Sequence, residues 1–224
     1  MRASLGRSRV ESLIQGIELM QLATPSPVSP PPDPALQARL DALLAEGWEI
    51  WNRFDREVRD LAWHPFVAAD YERVLATLVT LRAPGKRFLE WGSATGVITI
   101  MADMLGFEAC GIELDAGLVA TARDLAARHG SSARFAVGSF LPAGYEWRPR
   151  DGDGRRGTIG YGPSAYPALG LPLDEFDFVY AYPWTGEEAL MRDLMGAYGR
   201  RGGALLLHGG REGVKIVRNG EPAT

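Results

Sequence analysis

The sequence predicts an α/β fold: a three-layer sandwich around a mostly parallel sheet of about five to six strands, with added N-terminal helices. Three observations predict it. From Arg87 onward, short apolar runs of strand length alternate with stretches whose apolar residues recur every three to four positions. The first such unit, Arg87 to Asp115, reads strand, glycine turn, helix, strand, acid; parallel strands need a crossover of this kind. Ahead of it, Pro34 to Leu81 carries helical periodicity throughout.

Residues 1–33 are expected to be a flexible tail and linker. Val10, Leu13, Ile14, Ile17 and Met20 follow helical spacing, so residues 10–22 are a candidate docking helix for a partner. A marginal helix in a mobile tail is the plainer alternative, because short isolated helices are weak in water. Thr24 to Pro34 is proline-rich and should run as an extended spacer. Residues 34–84 are expected to form a helical cap. Asp33 suits an N-cap with Pro34 in the first position. Leu36, Leu40, Leu43, Leu44 and Trp48 make one apolar face, which Trp51, Phe54, Val58 and Leu61 continue. His64-Pro65 should break it. A second helix starts near Asp70, carries Tyr71, Val74, Leu75, Leu78 and Leu81, and ends before Pro84-Gly85.

Residues 85–219 are expected to form the main domain, with a polar tail over 220–224. Phe88 and Leu89 open the first strand, and Glu90 precedes the turn Trp91-Gly92-Ser93-Ala94-Thr95-Gly96. Val97, Ile98, Ile100, Met101, Met104 and Leu105 mark a helix that Gly106 stops. Ala109 to Leu114 is the second strand, interrupted by Glu113. A helix over Ala116 to His129 and a strand over Ala133 to Val137 lead to Gly138-Ser139-Phe140. Residues 141–173 form an irregular insertion. A hairpin around Asp151-Gly152-Asp153-Gly154 is expected there, with Tyr145, Trp147, Tyr161 and Tyr166 as a candidate lid. Phe176 to Ala181 is the fourth strand, ending in Tyr182-Pro183-Trp184; a helix over Glu187 to Tyr198 follows. Ala204 to Leu207 is the fifth strand, ending in His208, and Val214 to Val217 suits one short antiparallel edge strand.

The unit Arg87–Asp115 places the glycine turn and Glu113 at one carboxyl edge of the sheet. Glycines permit close approach, and the helix N-terminus favours an anionic group. An acid ending the second strand can accept hydrogen bonds from both hydroxyls of a ribose. The arrangement Glu90-x-Gly92-x-x-x-Gly96, followed by Gly111-Ile112-Glu113, resembles the first two motifs of class I S-adenosylmethionine-dependent methyltransferases. The resemblance extends more loosely over about Pro65 to Gly210. It implies a Rossmann-like sheet and S-adenosylmethionine as cofactor. The implied cofactor residues are Glu90, Gly92, Ser93, Ala94, Gly96, Glu113, Leu114, Ser139 and Phe140. Glu90 would serve the methionine amino group, Glu113 the ribose, and Ser139 and Phe140 the adenine. The family often has an acid where Ser139 stands, so the adenine contact is weakened.

Acceptor chemistry should sit at the ends of the fourth and fifth strands. Tyr182, Trp184 and His208 are the candidate catalytic residues: two aromatic walls and one group that titrates near neutrality. Packing at strand ends is the plain alternative for each. Trp51, Trp63, His64 and Phe66 are candidates to line the same pocket from the cap. Amino-methylating nucleic-acid enzymes carry a polar residue before Pro-Pro-aromatic at this place. Here Ala181 stands instead, which argues against that reaction.

With 46% apolar residues and a formal net charge of −4, nothing marks a generic nucleic-acid binder. A small-molecule acceptor is favoured, with RNA or protein as alternatives. One cysteine and three histidines supply no disulfide and no zinc pattern. No apolar run reaches ~18 residues, and no signal peptide is read; a reducing cytoplasm is the expected location. Two other readings stay open. One is a catalytically silent methyltransferase-like domain that binds a ligand or partner. The other is an NAD-binding oxidoreductase, although its G-x-G-x-x-G fingerprint is not met by Gly92-x-x-x-Gly96.

Overall fold

The computed structural model describes residues 30–58, 67–145, 162–184, 186–218 and 221–222. The expected docking helix, Trp63, His64 and Phe66 of the cap, and the Asp-Gly hairpin with Trp147 and Tyr161 lie outside these residues.

Two helices come first, α1 (Pro34–Val58) and α2 (Tyr71–Leu81). Asp33 does cap α1: its carboxylate accepts from the Leu36 amide at 2.8 Å. Asp70 caps α2 in the same way through Arg73 N at 3.1 Å. The alternating part then runs β1 (Arg87–Trp91), α3 (Val97–Met104), β2 (Glu108–Glu113), α4 (Ala116–Arg128) and β3 (Arg134–Val137). A short helix α5 (Tyr166–Leu169) lies in the insertion. After it come β4 (Phe178–Ala181), α6 (Glu188–Tyr198), β5 (Ala204–His208), β6 (Val214–Arg218) and β7 (Glu221–Pro222).

The sheet order is β3-β2-β1-β4-β5-β6-β7. The first five strands are parallel and the last two antiparallel, so the fold is a Rossmann-like α/β sandwich. Seven strands form rather than five to six. The extra one is the pair Glu221–Pro222, expected as tail, which folds back on β6 and makes Val214–Arg218 an inner strand. A hairpin, not a helix, therefore completes the sheet. Phe176 and Asp177 stand outside β4, because a 3-10 turn over Leu173–Glu175 leads into it. His208 belongs to β5 and pairs with Val214.

Strand alternation splits the core into two layers. Phe88, Ala109, Phe178, Tyr180, Ala204 and Leu206 face α1 to α4. Leu89, Trp91, Cys110, Ile112, Val179 and Leu207 face α5 and α6. Leu40 and Leu43 of α1 and Leu78 of α2 are fully buried in the first layer, so the cap shares one core with the sheet. Its hold is also polar: Glu46 of α1 accepts from Arg128 at 2.8 Å and meets His129 at 2.8 Å, both at the end of α4. Among the described residues no helix is long and apolar enough to cross a membrane.

The strand order reverses between β1 and β4, and ligands of open α/β sheets sit outside the carboxyl ends at such a point. Glu90 and Tyr180 are register partners across that pair.

Candidate functional site

The turn after β1 is built by backbone constraint. The amides of Gly92 and Ser93 both donate to Ile112 O at 2.9 Å, which ties the turn to β2. Gly111 lets them meet: a Cβ there would stand 2.7 Å from Ser93 Cβ and Oγ. Gly96 has φ +79°, and a Cβ would lie 2.7 Å from Phe135 Cζ. Ala94 has φ +44° and is the one non-glycine residue with positive φ among those described. Such strain persists only where its surroundings enforce it, and it gathers at functional sites.

Here the enforcing partner is Glu113. Its Oε2 accepts from the Ala94 amide at 2.9 Å. Its Oε1 accepts from Leu114 N at 2.7 Å and Asp115 N at 3.0 Å. Burial raises the Glu113 pKa, and those three amides pull it back. A carboxylate offers about four acceptor positions. Three are in use, so one acceptor direction remains.

Glu90 is 4% exposed. Its Oε2 accepts from both the amide and the hydroxyl of Thr99, at 2.9 and 2.5 Å. Thr99 is the third residue of α3, whose N-cap Gly96 has no side-chain cap. Glu90 thus caps the helix from the neighbouring strand. Burial pushes its pKa up to about 8; the Thr99 bonds oppose this and Glu113 adds to it. The amides of Val97 and Ile98, in the first turn of α3, have no intrahelical partner by position. They can receive an anionic group, and the Ser93 hydroxyl is buried with no hydrogen-bond partner among the described residues.

Part of this set lines one solvent-open cleft, of which Glu113 and Thr99 are not lining residues. Glu90, Gly92 to Thr95, Val97 and Ile98 form one side; Val67, Ala68, Ala69 and Tyr71, Tyr180 and Tyr182 form the other. The expected covering of the cleft by the cap is thus made by the entry to α2. Trp51 packs on Phe54 at 5.9 Å and does not line it.

The remaining site residues divide. Leu114 and Ser139 stand near each other, with Gly162 packed so close that a Cβ would lie 3.1 Å from Leu114 Cδ2. Ser139 Oγ accepts from Leu141 N at 3.1 Å, and its backbone pairs with Pro163 and Ala165. Phe140 is not at the cleft. It is 2% exposed and stacks on Trp91 at 4.9 Å and 13°, in the core layer under α5 and α6. A ring that follows a buried serine by one position turns to the opposite face, which the motif alone did not show. Tyr166 is likewise a correction: expected in a lid, it is buried and its hydroxyl accepts from Trp91 Nε1 at 3.0 Å. Tyr145 is held on α6 through Asp193 at 2.9 Å.

At the ends of β4 and β5, Tyr182 and His208 touch, with ring centroids 4.4 Å apart. His208 is 4% exposed. Burial lowers its pKa, with Asp70 opposing and Arg73 adding to the fall, so the ring is neutral near pH 7. Trp184 sits in a turn whose amide donates to Glu187 Oε2 at 2.9 Å. Thr99 and Tyr180 were not legible as site residues. Thr99 is a lone hydroxyl nine positions after Glu90 in an apolar helix, and Tyr180 reads as core within Phe-Val-Tyr-Ala. No group of three or more His, Cys, Asp or Glu among the described residues is placed to hold a metal.

No family model matches this chain, and no curated protein matches it. Several solved structures similar to it carry methyltransferase names. A precorrin-6y C5,15-methyltransferase from Geobacter metallireducens GS-15 is 16% identical, over 67% of this chain and 68% of that one, with a TM-score of 0.44. An RNA methyltransferase from Salinibacter ruber in complex with S-adenosyl-L-homocysteine is 19% identical, over 63% and 76%, with a TM-score of 0.43. A SAM-dependent methyltransferase from Thiobacillus denitrificans in complex with S-adenosyl-L-homocysteine is 21% identical, over 70% and 54%, with a TM-score of 0.44.

Proposed function

We propose that this chain binds S-adenosylmethionine in the cleft at the carboxyl edge and transfers its methyl group to a small molecule. One observation carries the reading: the strained Ala94 amide of the glycine turn is bonded at 2.9 Å to Glu113, the acid that ends β2. The two motifs that are apart in sequence are thus joined by a hydrogen bond. When bound, the cofactor supplies an electrophilic methyl on a sulfonium. The chain supplies position. Glu113 and Leu114 hold the ribose end, Ser139 the adenine edge, and the Gly92–Gly96 turn the amino-acid end beside Glu90. Oriented reactants can avoid ~7–11 kcal/mol of barrier, so positioning provides much of the rate. Tyr182, His208 and Trp184 belong to the acceptor side.

Calorimetry with S-adenosylhomocysteine tests this, with Glu113→Ala as the control. The expected result is saturable binding to the parent that the variant loses; NADH binding in its place would sink the reading. Mass spectrometry of lysate products made with isotopically labelled cofactor then identifies the acceptor. A label on RNA would overturn the small-molecule assignment. Binding without transfer to any fraction favours a silent ligand-binding domain. The observation on that side is Ala181, fully buried at the end of β4 with no polar group to offer.

A further inference from the structure

Besides the Ser93 hydroxyl, two buried polar atoms beside the cleft have no hydrogen-bond partner among the described residues. Tyr180 is 1% exposed and His208 is 4% exposed. The Tyr180 hydroxyl and His208 Nδ1 are both buried without a hydrogen-bond partner among the described residues. Orphaned buried polar groups are rare, because each carries an uncompensated desolvation cost. Here two fall together. Their rings are 6.4 Å apart, and both belong to the sheet face that carries Glu90. Tyr182 lies against His208 and, like Tyr180, lines the cleft.

The surroundings restrict what such a pair can receive. The other lining side chains on this side are Val67, Ala68, Ala69 and Tyr71, which are apolar or aromatic. No Lys or Arg lines the cleft among the described residues. Arg73, the cation that acts on His208, is ion-paired with Asp70 at 2.8 Å. Among the described residues a phosphate or carboxylate finds no counter-charge lining the cleft, and the acid that lines it, Glu90, is held by Thr99.

We propose that the Tyr180 hydroxyl and His208 Nδ1 form the acceptor subsite, and that it takes an uncharged, flat, largely apolar small molecule bearing a hydroxyl of phenol type. The inference rests on the methyl-transfer reading and deepens it. The Tyr180 hydroxyl donates to the acceptor oxygen, and His208 Nδ1 accepts that oxygen's hydrogen. In the transfer, the oxygen–carbon bond forms as the carbon–sulfur bond of the sulfonium donor breaks. The phenolic proton passes to His208 and then to solvent, and a neutral thioether and a methyl ether remain. Burial holds the imidazole neutral near pH 7, which is the form able to take a proton.

The test uses 4-methylphenol, which stays un-ionised near pH 7, as probe on the full chain, with and without saturating S-adenosylhomocysteine, and three readouts. Calorimetry is expected to show 4-methylphenol binding that Tyr180→Phe and His208→Asn each weaken about 3- to 10-fold, with S-adenosylhomocysteine affinity unchanged. Nitrogen-15 histidine spectra are expected to show the His208 signal moving on addition of the probe. Thermal melting of Tyr180→Phe is expected to be unchanged or raised, because the variant removes an unsatisfied hydroxyl. A lowered melting point of Tyr180→Phe would show that the hydroxyl is structural and overturn the proposal. So would probe binding indifferent to both variants, or displacement of the probe by benzoate or phenyl phosphate at equal concentration. If S-adenosylhomocysteine fails to bind but Tyr180-dependent probe binding persists, the cofactor reading falls and the subsite stands.

Discussion

At the scale of single residues, two carboxylates do different work. Glu113 holds three amides of two separate loops, so its loss disorders the turn; in the proposed reading it also removes a ribose contact. Glu113→Ala is expected to destabilise the protein by about 2 kcal/mol or more and to weaken S-adenosylhomocysteine more than about tenfold; urea unfolding and calorimetry read the two effects separately. Glu90 is held close to neutral by burial, with a pKa pushed up to about 8 against an ordinary 4.5. The folded state keeps a proton that the unfolded chain has lost in this interval. Its contribution to stability is therefore full below about pH 4.5 and falls as pH rises towards 8. His208 acts in the opposite sense: its lowered pKa makes stability fall as pH drops below about 6.5. Glu90→Gln is expected to flatten the loss on the alkaline side, measured as melting temperature from pH 5 to 9. A decline equal to the parent's would refute the assignment.

At the scale of elements, the unit β1–turn–α3–β2 was legible because three signals agreed: strand-length apolar runs, helical periodicity, and glycines where the chain must turn. The caps Asp33, Asp70 and Asp115 were legible for the same local reason or stood beside a readable helix start; Asp115 Oδ1 accepts from Gly117 and Leu118 N at 2.7 and 3.0 Å. What local signals do not carry is which face a residue takes next to a turn. Phe140 and Tyr166 both read as site aromatics, and both joined the Trp91 cluster. Thr99 and Tyr180 read as core, yet Thr99 bonds Glu90 and Tyr180 lines the cleft. One close element contact is at Gly96, where α3, α4 and β3 converge. Gly96→Ala must adopt φ +79° with a Cβ 2.7 Å from the Phe135 ring and 2.8 Å from Ala122 Cβ. It is expected to cost about 2–4 kcal/mol, read by urea unfolding. A cost below about 1 kcal/mol would mean that the turn relaxes freely.

At the scale of the whole molecule, the strand order came from the structure, and the class of the sheet followed from the alternation of strands and helices. The closing hairpin did not, since a two-residue strand has no periodicity to read. The cap is joined to the sheet through one core, so cap and sheet are expected to unfold in a single transition, with coincident fluorescence and circular-dichroism curves as the check. The chain's one cysteine, Cys110, lies in the middle of β2, 1% exposed, with Arg134 Nη2 3.4 Å from its sulfur. Burial raises its pKa, which Arg134 opposes. A thiol so placed meets reagent only when β2 separates from its neighbours. Its modification rate is a built-in clock for opening of the central sheet. Any compound that binds the folded state slows that clock by the factor 1 + [L]/Kd. Collections of unrelated metabolites can thus be ranked as ligands before any product is known, with no label other than the one thiol the chain already carries.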